Sequence, residues 1–146
     1  SILAFLGHTI NKIFEPLGFG TWQATVATIL GLLAKEEIVG VFGVLYNDFS
    51  TAFTPLAGYS FLIFNLLCVP CMAAVGAIRR EMNSAKWSLF ALGYQTLFAY
   101  CVSFCIYQFG LLISTGAMNI STICAFIVAA IFLILLLRRP PKRKTK

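Results

Sequence analysis

Three charges stand in a row at Lys35, Glu36 and Glu37, inside the apolar stretch "LLAKEEIVG" that runs from Leu32 to Gly40. A second group of chemically able residues lies at "CVPCM", where Cys68 and Cys71 flank Pro70 and Met72 follows. The two groups suggest different parts of one chemistry. Charged side chains held at membrane depth are costly, and they normally line a cavity or pair with one another. A proline inside an apolar helix removes one backbone hydrogen bond and kinks or breaks the helix. The carbonyls released near Leu66 then need partners, and a cation can be one. Cys71 and Met72 offer soft sulfur, which suits transition metals, Fe(II) among them, better than Na⁺ or Mg²⁺. The plainer alternative for Cys71 is a small buried residue, as thiols often are. For Lys35 and Glu36 the plainer alternative is a solvated interfacial loop.

Other chemistries fit less well. Cys-x-x-Cys is a redox motif in a soluble βαβ context, which this chain lacks. A zinc site needs a further Cys or His pair, and His8 is the single histidine. Cys101 and Cys105, four apart, share a helical face with Tyr94, Phe98 and Gln108; small-residue packing explains them better than a sulfur-lined path. Gln95 is an embedded amide suited to joining two helices.

The elements that must position these residues are transmembrane. The chain has 146 residues, 60% hydrophobic and 11% charged, against about 25% charged in soluble domains. No charge occurs from Phe49 to Ile78, nor from Trp87 to Leu137. A crossing helix needs about 20 apolar residues, so the first stretch holds one span and the second holds two. Gly110, Ser114, Thr115, Gly116, Asn119 and Ser121 mark their connection. Leu3, Leu6, Ile10, Ile13, Phe14 and Leu17 recur at helical spacing and predict an amphipathic interfacial helix ended by Pro16.

The segment Trp22–Tyr46 must bring the chain to the outer side, yet Lys35–Glu37 interrupt it. Trp22–Leu33 alone makes roughly 18 Å of helix, short of about 30 Å of hydrocarbon. Either the charges line a protein-walled pathway, or Trp22–Leu33 is a half-helix with the charges at its mouth, an arrangement many transporters use for substrate sites. In a continuous helix Thr25, Ile29, Leu32, Glu36, Gly40 and Gly43 form one face, and the two glycines let another backbone approach. Ala73, Ala74, Gly76 and Ala77 likewise permit close packing.

The fold class is therefore all-α integral membrane: an N-terminal amphipathic helix and about four membrane segments, one broken or re-entrant near 34–37. Residues 1–16 form the interfacial helix, 17–113 the main transmembrane module, 114–137 the final span and 138–146 a basic tail. Net charge is +6, concentrated in "RRPPKRKTK" at Arg138–Lys146 and in Arg79, Arg80 and Lys86. Directly after apolar spans such clusters mark cytoplasmic sides, not nucleic-acid binding. This orientation puts the C-terminus in the cytoplasm and Asp48 outside. The first residue, Ser1 and not Met, points to a piece of a longer protein.

"PLGFGTWQATVATILGLLAKE", "FTPLAGYSFLIFNLLCVPCMAAVGAIRRE" and "KWSLFALGYQT", in this order, resemble the C-terminal membrane region of the ferrous iron transport protein B family. They resemble in particular its second gate module, which is shared with nucleoside-transporter-like proteins. The resemblance covers about Ile2 to Phe109. It implies a bacterial or archaeal inner-membrane importer, with Fe(II) as the transported ion and no permanently bound cofactor. It further implies membrane lipid, a GTPase domain and a first gate half as partners, with homo-oligomerisation left open. No phosphate-cradling G-x-x-x-x-G-K-[ST] loop is present, so this chain is expected not to be an enzyme.

The family's Pro-Cys pair matches Pro70–Cys71, which gives Cys71 an implied transient iron contact. The family's Ala-Lys-Glu element matches Ala34–Lys35–Glu36, so Glu36 is expected to offset the cation's charge and Lys35 to set pairing or gating. Glu37, Pro70, Met72 and Gln95 are the further candidates along the path. The family more often has an aromatic residue at Cys68, so a C-x-x-C role is not inherited, and an apolar one at Glu37, which is then either a local specialisation or a surface residue. Three rival functions stay open. A gate for nucleosides or another solute would use Trp22, Gln23 and Gln95. The others are a non-transporting assembly protein and, more weakly, a thiol oxidoreductase.

Overall fold

The computed structural model describes residues 2–35, 37–45, 53–68 and 70–138. These residues form seven α-helices: α1 Ile2–Phe14, α2 Trp22–Gly31, α3 Glu37–Leu45, α4 Pro55–Leu67, α5 Met72–Met82, α6 Ala85–Thr115 and α7 Ile120–Leu137. A 3₁₀ turn, Glu15–Leu17, follows α1. Asp48 and the tail beyond Arg138 lie outside the described residues.

Local sequence explains the boundaries. The Thr21 side chain accepts from the Ala24 N–H at the start of α2, and the Thr54 side chain accepts from the Ala57 N–H at the start of α4, where Pro55 occupies the first turn. Both satisfy backbone donors that a helix start leaves orphaned. Gly116 takes a left-handed conformation, φ 66°, and closes α6 by donating to the Leu112 carbonyl.

Among the described residues three stretches are long and apolar enough to cross a membrane: Pro55–Met82, Ala85–Thr115 and Ile120–Leu137. The fourth expected segment is divided between α2, with 10 residues, and α3, with 9. Each of these is roughly 15 Å or less, so neither crosses hydrocarbon alone. The 31 residues of α6 extend roughly 46 Å and the 18 of α7 roughly 27 Å.

α4 runs antiparallel to α6. Leu56 lies on Gly110, and the Ser60 and Ser103 hydroxyls stand 2.8 Å apart, with Ser103 also within 2.7 Å of the Ser60 carbonyl. α7 folds back along α6 through Phe98–Phe132, Phe109–Phe126 and the Cys105 thiol directed at the Ala125 carbonyl. The core is aromatic: Phe19 stacks on Phe14 and meets Phe61 edge-on, while Phe14 meets Phe64. Leu17, Phe19, Ala24, Ala27 and Phe61 are fully enclosed. α1 joins this body through Gly7, on which Trp22 and Val26 rest, while Ile2, Phe5 and Ile13 point outward.

Several expectations change. Gly110 does not mark a turn; α6 continues five residues past it to Thr115, and the missing side chain makes room for Leu56. The face running from Thr25 to Gly43 does not exist, because the helix stops between α2 and α3. Gly43 accordingly has no described atom within 4 Å of its Cβ position, and Gly40 has just Glu37 of its own helix. Gly76 is likewise uncovered, and α5 has no buried residue among those described.

Gly18 adopts φ 86°, and a Cβ there would overlap the Tyr107 ring. Gly18→Ala combines a left-handed backbone cost with a steric one. It is expected to destabilise the protein by about 3 kcal/mol, read as a lowered thermal midpoint in detergent. Ser60→Ala and Ser103→Ala should each cost about 1 kcal/mol and should not add, because either one breaks the same pair.

Candidate functional site at two helix breaks

α2 and α4 both stop short, and their ends meet. In a continuous helix the Leu66 carbonyl would accept from the N–H of residue 70, but Pro70 has none. The Cys68 carbonyl would accept from Met72; here the Met72 N–H donates across to the Leu32 carbonyl at 3.0 Å. Two carbonyls at the end of α4 thus give up their helical donors. The Lys35 ammonium serves both, with Nζ 3.3 Å from the Leu66 oxygen and 3.4 Å from the Cys68 oxygen. A cation at a helix C-terminus also meets the negative end of the helix dipole.

The loop carrying Lys35 is shaped to reach this position. The end of α2 tightens, with Leu33 donating to Leu30 and Ala34 to the same carbonyl. Glu37 donates back to Ala34 and Ile38 to Lys35, starting α3. Ile38 then covers Gly31, where any side chain would force it aside. The two breaks are therefore joined twice, once by backbone and once by the Lys35 side chain.

The register between α4 and α6 gives the depth of the junction. Cys68 and Thr96 line one apolar cavity of about 220 Å³, together with Leu32, Phe64, Ile10 and Phe14. Thr96 lies roughly 16 Å along α6 from Ala85 and roughly 28 Å from Thr115. The break after α4 thus falls in the middle of the apolar stretch Pro55–Met82, and both breaks pack beside the half of α6 nearer Arg79, Arg80 and Lys86. A cleft of about 320 Å³, lined by Lys12, Glu15, Tyr107, Gln108 and Asn119 among others, lies toward the other end of α6.

The predicted site residues divide. Lys35, Pro70, Cys71 and Met72 come together at the breaks. Cys71 is half-buried at the cap of α5, while the Met72 side chain is 59% exposed and contributes its backbone N–H. Glu36 lies outside the described residues. Glu37 begins α3 with its side chain exposed. Gln95 makes no hydrogen bond among the described residues; the amide that joins elements is Gln108, buried and donating to the Pro16 carbonyl at 3.0 Å. In sequence Gln108 stands out as a face-mate of the cysteines, whereas its polar burial near Pro16 depends on the tertiary fold. Among the described residues no group of three His, Cys, Asp or Glu is gathered to hold a metal.

Apolar helices long enough to cross a membrane, interrupted by two joined breaks that carry an ammonium group and backbone carbonyls, are the features of a membrane protein. Residues 1–85 match the Gate family, described as nucleoside recognition, and the chain belongs to it. It is 42% identical over 118 residues to the Fe(2+) transporter FeoB of Staphylococcus aureus strain COL, covering 75% of this chain and 18% of that protein. It is 35% identical to the Fe(2+) transporter FeoB of Methanocaldococcus jannaschii, covering 75% of this chain and 17% of the relative. It is 30% identical to a Fe(2+) transport protein A/FeoB fusion protein of Porphyromonas gingivalis, covering 77% and 16%. The chain thus spans less than a fifth of the curated relatives it matches, and it corresponds to a membrane region of the FeoB family. No solved structure matches it.

Pro70→Ala would supply the N–H that Leu66 lacks and so compete with Lys35. The expected outcome is a several-fold rise in acylation of Lys35 by an amine-reactive ester, quantified by mass spectrometry against the exposed Lys12 and Lys86.

Proposed function

We propose that this chain forms part of the membrane pathway of a ferrous iron importer, passing Fe(II) inward as one section of a larger, GTPase-coupled protein. The observation that carries this reading is the pair of joined helix breaks within apolar segments, where backbone carbonyls already hold a cationic group. The similarity to Fe(2+) transporters supports the identity of the ion. In this reading Cys71 is a soft transient ligand and Glu36 offsets the ion's charge. Lys35 controls access, and Pro70 maintains the break. Glu37, Met72 and Gln95 lie along or beside the path. Weak contacts at several places suit transport, since the ion must also leave.

The membrane is the bacterial or archaeal inner membrane. Arg79, Arg80, Lys86 and the basic tail face the cytoplasm, so the breaks lie in the inner half of the bilayer. Residues 1–16 act with the gate module, Ile120–Leu137 forms the final crossing, and a GTPase domain and first gate half complete the machine.

A second reading follows from the Gate family's description, nucleoside recognition: a pathway for a nucleoside or another organic solute. Trp22 would supply a stacking face, although His8 already stacks on it with ring centroids 5.7 Å apart.

Uptake of radiolabelled Fe(II) into proteoliposomes containing the full-length protein separates these readings. Cys71→Ser and Glu36→Gln are each expected to lower uptake about tenfold, the equivalent of roughly 1.4 kcal/mol per lost contact. Unchanged uptake in both variants would remove the site assignment. Inhibition by nucleosides, without inhibition by divalent metals, would favour the organic solute.

A further inference from the structure

We propose that Lys35 is a tethered competitor for the transported cation: its ammonium occupies the Leu66 and Cys68 carbonyls that a passing ion uses, and must leave them for the ion to enter. This inference rests on the transport reading above and adds a mechanism of occupancy to it.

Pro70 removes the helical donor for Leu66, and the Leu32 carbonyl takes the Met72 donor that would otherwise serve Cys68. The break lies inside the candidate span Pro55–Met82, and backbone carbonyls within a span require a protein or ionic partner. A partly dehydrated cation satisfies such oxygens as well as a donor does, which is how carbonyl-lined filters hold ions. Lys35 Nζ is bound to them from a different helix pair, 31 and 33 residues away in sequence. Its contacts at 3.3 and 3.4 Å are long for charged hydrogen bonds, which run to about 2.7–2.9 Å. The contact with the Leu66 carbonyl lies at the exposed side of the junction. The ammonium is thus held by electrostatics on a flexible stem.

The chemistry of the site also suits a cation more than a permanent lysine cap. Cys71 directly follows Pro70 at the start of α5, so a soft donor stands within a few residues of the Leu66 and Cys68 carbonyls in the chain. Lys35 occupies this set when no ion is bound. A tethered group acts at a high effective concentration, so it raises the apparent KM for the ion and limits leakage when no ion is present.

The test uses the full-length protein that carries this chain, reconstituted in proteoliposomes under anaerobic conditions. Lys35→Met removes the charge and keeps most of the side-chain length. The expected result is a fall in KM for Fe(II) of at least about threefold, together with competition by millimolar ammonium ions that is absent from the wild type. An unchanged KM without ammonium competition would overturn the inference, as would loss of uptake in a folded variant on which ammonium has no effect.

A measurement on the wild type decides the matter if Lys35→Met fails to fold. Fe(II) should raise the acylation of Lys35 several-fold and leave Lys12 and Lys86 unchanged. Fe(II) uptake with unaltered Lys35 reactivity would remove this inference alone. Absence of Fe(II) uptake by the wild type would remove the transport reading, and the inference with it.

Discussion

The structure depends on an exchange of partners at the broken end of α4. Met72 gives its N–H to Leu32 and not to Cys68, and Lys35 takes the position of the departed donor. Without the backbone bond between the breaks, Lys35 has no fixed approach to the carbonyls; without Lys35, the end of α4 loses its cation where water is scarce. The surrounding packing serves this junction. Ile38 over Gly31 holds the loop between α2 and α3, and Phe14, Phe19 and Phe64 brace the helices behind it.

Much of this is legible in the sequence. Charge-free stretches locate the long helices, because hydrocarbon excludes charge strongly and a water-facing helix of about 20 residues rarely goes without it. Pro70 announces a break and released carbonyls near Leu66, since the consequence of a missing N–H is local. The interruption near Lys35 is visible for the same reason. That the two breaks meet is not visible. Lys35 and Leu66 are 31 residues apart, and no periodicity links them, so local rules point to a cation for those carbonyls without naming the one the chain itself supplies.

The differences between sequence and structure share a cause. A face from Thr25 to Gly43 requires helical phase to persist across residues that form a turn. Gly110 has the composition of punctuation, although a glycine within a helix can equally well mark a close contact, here with Leu56. Gln95 and Gln108 are both embedded amides; which of them faces a carbonyl depends on where the turn at Pro16 packs. Local rules locate the interruptions and tertiary packing assigns their partners. The role of Glu36 and the division into residues 1–16, 17–113, 114–137 and 138–146 rest on sequence reasoning.

The hairpin of α6 and α7 has arms of unequal length, roughly 46 and 27 Å. The longer arm exceeds a hydrocarbon layer of about 30 Å, so it must tilt or protrude, and the shorter arm meets the same layer with little to spare. A thicker bilayer brings α6 upright and a thinner one lays it over. α4 is fastened to α6 through Ser60 and Ser103, and the junction hangs from the end of α4. Any tilt that lipid thickness imposes on α6 would therefore be carried through α4 toward the ammonium group and its two oxygens.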